Sequence, residues 1–178
     1  MGSEGIALLV DLGGNDVYKI PVGANISADN PISVAIDLGG DDLYTYEKSS
    51  QGSEKPRLLP DDGSGRLQPE NQPDINSGPM SFSDIPRQGS GRLGIGMLFD
   101  LGKGSDTYES LRMSQGFGLL GVGALMDAGG EDQYQCESGG QGSAFMGLGI
   151  LHDGDSGEDQ FLSWQYSQGF DYLLGYGL

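Results

Sequence analysis

Five acidic turns, each closed by an aromatic residue, recur along the chain: Asp11-Leu-Gly-Gly-Asn-Asp16-Val-Tyr18, Asp37-Leu-Gly-Gly-Asp-Asp42-Leu-Tyr44, Asp100-Leu-Gly-Lys-Gly-Ser-Asp106-Thr-Tyr108, Asp127-Ala-Gly-Gly-Glu-Asp132-Gln-Tyr134 and Asp153-Gly-Asp-Ser-Gly-Glu-Asp159-Gln-Phe161. The leading aspartates stand 26, 63, 27 and 26 residues apart. A fixed period of roughly this length marks units that cannot bury their apolar face alone and must stack on one another.

A short apolar segment precedes each leading Asp: Ile6–Val10, Ile32–Ile36, Ile95–Phe99, Val122–Met126 and Leu148–His152. Their length, branched residues and bounding glycines predict strands rather than helices. Two positions before the Asp stand Leu9, Ala35, Leu98, Leu125 and Leu151. Period-2 alternation puts this column on the opposite face from the apolar columns beside it. If it faces outward, it needs a cover, such as a partner chain or an inserted loop; a bend or bulge would instead turn it inward. The aromatic residue after each turn leads a second strand, and stacked units would set these rings in one ladder. Gln88-Gly, Gln115-Gly, Gln141-Gly and Gln168-Gly form another column, in which amide-to-amide hydrogen bonds are expected. The predicted fold is all-β: a parallel β-solenoid over residues 5–178, with rungs of about 26 residues and two or three strands each.

One interval is longer because residues 52–87 form a Pro-rich loop insertion, bracketed by the similar dipeptides Gln51-Gly and Gln88-Gly. Lys55, Arg57, Arg66, Arg87 and Arg92 fall in or next to it, and such a loop can lay its cations on the acidic rungs. The last residues, Leu174-Gly-Tyr-Gly-Leu178, match the start of another rung. We therefore expect a segment of a longer array, with possible neighbours in further repeats of a longer chain or in a homo-oligomer.

With 26 acidic and 9 basic residues the chain carries a formal charge of −17. That argues against nucleic acid as a partner and favours divalent cations. No apolar run is long enough for membrane insertion by a helix. The single cysteine, Cys136, excludes an intrachain disulfide and is expected to be buried and inert; His152 is the one histidine and fits a strand position better than a catalytic role.

Equivalent aspartates on successive rungs stand about 4.8 Å apart, and two charges at about 5 Å repel by roughly 3 kcal/mol at an effective dielectric near 20. Two arrangements relieve this. The aspartates can accept hydrogen bonds from their own Gly-Gly turns, which suits the leading Asp. Alternatively, hard cations sit between rungs with oxygen ligands, as calcium does, which also accounts for the second Asp. Gly13-Gly-Asn-Asp16-Val-Tyr18, Gly39-Gly-Asp-Asp42-Leu-Tyr44 and Gly102-Lys-Gly-Ser-Asp106-Thr-Tyr108 resemble the repeats-in-toxin nonapeptide, Gly-Gly-x-Gly-x-Asp followed by an apolar residue. The resemblance covers six to nine residues per rung, most rungs lack the middle glycine, and the period differs from nine. It implies parallel β-rolls with calcium between turns in secreted bacterial proteins. The metal candidates are thus Asp11, Asp16, Asp37, Asp42, Asp100, Asp106, Asp127, Asp132, Asp153, Asp155 and Asp159, in one line along one edge of the solenoid.

The expected function is a non-enzymatic, calcium-associated structural or adhesive module of a larger secreted or surface protein. One alternative is a carbohydrate-active solenoid, a polysaccharide lyase or hydrolase with its site beside residues 52–87. Trp164, Tyr166, Phe170, Tyr172 and Tyr176 cluster where a glycan could stack, or where a larger final core forms. The other alternative is a metal-free assembly module joined through the leucine column or the terminal strand edges.

Overall fold

The computed structural model describes residues 5–49, 59–66, 81–154 and 157–178. It is a parallel β-solenoid of three sheets, with no helix among the described residues. The first sheet has six strands in spatial order: β1 (Ile6–Val10), β3 (Ile32–Asp37), β6 (Ile95–Asp100), β9 (Val122–Asp127), β12 (Leu148–Asp153) and β15 (Tyr176–Gly177). The second holds β2 (Val17–Tyr18), β4 (Leu43–Tyr44), β7 (Thr107–Glu109), β10 (Gln133–Ser138) and β13 (Gln160–Gln165). The third holds β5 (Gly91–Arg92), β8 (Gly118–Leu119), β11 (Ala144–Phe145) and β14 (Asp171–Tyr172). Every strand pairs in parallel with its equivalent on the next rung, and Asp37, Asp100, Asp127 and Asp153 are register partners.

The column two before each leading Asp faces inward with no bulge. Leu98 and Leu125 are fully buried and Ala35 nearly so, packed with Tyr44, Tyr108 and Tyr134. The alternate columns, such as Ile95, Met97 and Phe99 on β6, are half-buried on the outer face. The residue after the Asp also faces out, with Leu12, Leu38 and Leu101 exposed. The apolar outer face is therefore built by the neighbouring columns rather than by the leucine column itself.

The aromatic ladder forms as predicted. Tyr18, Tyr44, Tyr108, Tyr134 and Phe161 stack with centroids 4.9, 4.7, 4.8 and 4.6 Å apart. The glutamines do not bond to one another. Gln88 Nε2 donates to the Tyr44 and Glu109 carbonyls (both 2.9 Å), and Gln115 Nε2 to those of Tyr108 (2.9 Å) and Gln135 (3.0 Å). Each amide spans the core to two successive strands of the second sheet, and both its protons are consumed there. Gln88 stacks between Val22 and Gln115, since Gly89 N donates to Val22 O (3.2 Å) and Gly116 N to Gln88 O (3.0 Å). Val22 thus fills in the first rung the place that glutamine takes later, while Gln51 lies outside the described residues.

Only part of the insertion, residues 59–66 and 81–87, is described, and it packs on the rungs. Leu59 joins Tyr46 and Leu111 in a small second core. Buried Arg87 pairs with Asp62 at 2.7 Å and lies 5.1 Å from the Tyr46 ring centroid, while Arg66 pairs with Glu137 of β10 at 2.6 Å. So Arg66 lies back on an acidic rung, whereas Arg87 is used within the insertion; Lys55 and Arg57 lie outside the described residues.

Candidate functional site: buried carboxylate columns

Each acidic turn bends the chain from the first sheet into the second. Stacking requires glycine in the middle of the turn. A Cβ on Gly104 would stand 1.5 Å from the Gly40 carbonyl oxygen, and one on Gly130 would stand 1.7 Å from that of Gly104. With no side chain there, successive turns lie directly on one another and bring their aspartates into two columns.

The leading aspartates close the turns. Asp37 Oδ1 accepts from Gly39 N (3.0 Å), Asp100 Oδ1 from Gly102 N (3.1 Å) and Asp127 Oδ1 from Gly129 N (2.8 Å). Their other oxygens meet the tyrosine hydroxyls, a partnership missed in reading the sequence, where the rings registered only as an aromatic ladder. Tyr44 Oη lies 2.8 Å from Asp100 Oδ2 and 3.2 Å from Asp37 Oδ2; Tyr108 Oη lies 2.7 Å from Asp127 Oδ2 and 3.2 Å from Asp100 Oδ2. The signal was the choice of Tyr over Phe on four of the five rungs, always seven or eight residues after the leading Asp. Burial, chiefly, and the neighbouring carboxylates push these phenols well above their usual range. They therefore remain donors.

The second column is bonded on one side only. Asp42 Oδ1 accepts from Asp16 N (2.7 Å), Asp106 Oδ1 from Asp42 N (2.6 Å), Asp132 Oδ1 from Asp106 N (2.7 Å) and Asp159 Oδ1 from Asp132 N (2.9 Å). The Oδ2 atoms of Asp42, Asp106 and Asp132 are buried and have no hydrogen-bond partner. Burial, first of all, raises these carboxyls, to about 6 for Asp42, about 8 for Asp106 and about 7 for Asp132; the surrounding carboxylates add to it and the bonded backbone N–H opposes it. Asp100 is also raised, chiefly by burial.

The two columns meet in three overlapping trios: Asp42, Asp100 and Asp106; Asp106, Asp127 and Asp132; Asp132, Asp153 and Asp159. In each, one oxygen per residue lies within 4.8 Å of the others. Calcium–oxygen bonds of about 2.4 Å place two ligands of one ion at most about 4.8 Å apart, so each trio offers carboxylate oxygens at separations a shared cation can bridge. Of the predicted metal residues, the structure brings these seven together. Asp11, Asp16 and Asp37 join no trio among the described residues, and Asp155 lies outside them. The line of acids runs along one corner, as expected, but inside the solenoid.

A second feature is an apolar groove of about 500 Å³ along the third sheet, lined by Phe117, Phe145, Tyr166, Phe170 and Tyr172, with Arg112 at its wall. It gathers three of the predicted terminal aromatics and leaves out Trp164 and Tyr176. Among the described residues no carboxylate lines it. Cys136 is fully buried and its thiol is pushed up to about 12, chiefly by burial; His152 is exposed on β12. Compared with protein-family models, with curated proteins and with solved structures, the chain matches none.

Proposed function

We propose that this chain is a calcium-associated structural solenoid, a rigid or adhesive module of a larger secreted or surface-exposed bacterial protein. One observation carries the reading: carboxylate trios, two of them wholly buried, run along the core with orphaned oxygens, and among the described residues no Lys or Arg enters them. Buried carboxylates must be neutralised by protons, by basic side chains or by metal. The three middle rungs each bury two carboxylates, so one divalent ion for each of these rungs balances the charge. The residues that would hold such ions are Asp42, Asp100, Asp106, Asp127, Asp132, Asp153 and Asp159. Calcium supplies charge compensation and oxygen coordination between rungs. It would link folding to the millimolar calcium range typical of extracellular modules.

The test is a thermal melt by circular dichroism near pH 8 in chelator, in millimolar calcium and in millimolar magnesium. Calcium should raise the melting temperature by about 5–10 °C, several times the magnesium effect, as ligand linkage and the size of the chain imply. In Asp106→Asn the amide keeps the bond from Asp42 N and removes one buried charge. This variant should melt higher than the wild type in chelator and gain less from calcium. Equal melts in all three solutions would reduce the aspartates to turn closers.

A further inference from the structure

We propose that the outer face of the first sheet is a self-association surface whose occupant is a second copy of this chain. The face presents three outward columns on strands β1, β3, β6, β9 and β12 and a fourth just past their ends, and none of these positions carries Asp, Glu, Lys or Arg, although the molecule as a whole is strongly acidic. With strands about 4.8 Å apart and about 3.3 Å per residue, it measures roughly 24 by 20 Å, near 500 Å². That lies within the range, about 300–600 Å², of the largest apolar patch on a typical monomer, which is often a functional surface. The outer face of the second sheet, by contrast, carries Thr107, Gln133 and Gln160.

The centre of the face favours a copy of itself. The midline of the six-stranded sheet falls between β6 and β9, where Met97 and Ala124 are register partners. Met97 stands up half-buried, whereas Ala124 has a short side chain that its neighbours cover. A two-fold axis along the strand direction at this midline lays Met97 of one copy over Ala124 of the other, and the reverse. The same operation sets Phe99 over Met126 and Val34 over Ile150, apolar against apolar, and Ile36 over the exposed His152, the one polar position of the face. An isologous interface requires this reciprocity. Two such faces bury about 1,000 Å², the lower limit for a specific interface, so the dimer is expected to be reversible, with a micromolar dissociation constant. Because the repelling charges lie off the face, added salt should tighten association by screening them.

Sedimentation velocity from about 1 to 300 µM, in low and high salt, tests this. A concentration-dependent dimer that tightens with salt is expected. Met97→Lys should weaken it at least about tenfold, while Leu119→Lys on the third sheet leaves it unchanged. Should Met97→Lys fail to fold, a mixture of the single variants Phe99→Cys and Met126→Cys serves instead; a thiol cross-linker spanning about 10 Å should join the two different variants in preference to like pairs. A monomer throughout the range, association unaffected by Met97→Lys, or like pairs equal to mixed pairs would overturn the proposal.

Discussion

At the scale of single residues, the tyrosine hydroxyl matters more than the ring's position alone. Tyr108 places one proton between Asp100 and Asp127, both buried. Tyr108→Phe keeps the stacked ring and strips that donor from the carboxylates. Leaving a buried acceptor unsatisfied costs about 1–3 kcal/mol, so a fall in melting temperature of roughly 4–8 °C is expected by thermal denaturation. The chemistry of this pair was only half legible in the sequence. Asp and Tyr recur at a fixed spacing, but that one bonds to the other across two rungs depends on the side chains pointing inward together. The orphaned oxygens of Asp42, Asp106 and Asp132 were less legible still. Any acidic turn reads as solvent-exposed until the path of the chain puts it inside.

At the scale of the rung, the turn glycines fix the stacking distance. Gly104→Ala drives a methyl group to within 1.5 Å of the Gly40 carbonyl, which no rotamer can relieve, because both groups belong to the backbone. The cost exceeds the roughly 4–5 kcal/mol that marks exceptional substitutions. Soluble yield and far-UV circular dichroism should show loss of the folded protein. The strands and their register could be read in advance because the same positions repeat on every rung. The facing of the apolar columns could not, since Leu98 on one side and Met97 and Phe99 on the other are all apolar, and alternation says only that they are opposite. The glutamines were misassigned for a related reason: equal spacing showed that Gln88, Gln115 and Gln141 align, but gave no sign that backbone carbonyls of the second sheet stand within reach. Gln88, Gln115 and Gln141 also take φ near 50°, a left-handed conformation uncommon outside glycine, which the repeat preserves without advertising.

At the scale of the whole molecule, the buried acids set how stability varies with pH. Asp42, Asp106 and Asp132 titrate at about 6, 8 and 7 in the folded chain, above the ordinary value of 3.8. Between these limits the folded state binds more protons than the unfolded state, so stability falls as pH rises from about 4 to about 8. In chelator the melting temperature should therefore drop by at least about 10 °C over that window, and calcium should flatten the slope by replacing the lost protons. A chelated protein that gains stability toward pH 8 would contradict this. Of the long insertion, the cations were legible in the sequence, and the partners of Arg66 and Arg87 emerged only from the fold.

The shorter contact of Tyr18, Tyr44 and Tyr108 is in every case to the aspartate of the following rung. A hydroxyl has a single proton, so the file of alternating phenols and carboxylates is ordered head to tail and has a polarity. Turning one hydroxyl around leaves one carboxylate facing two protons and another facing none, unless its neighbours turn with it. Over its first four rungs the solenoid thus carries an electrical sense, and a break at one tyrosine is felt by the tyrosines on either side.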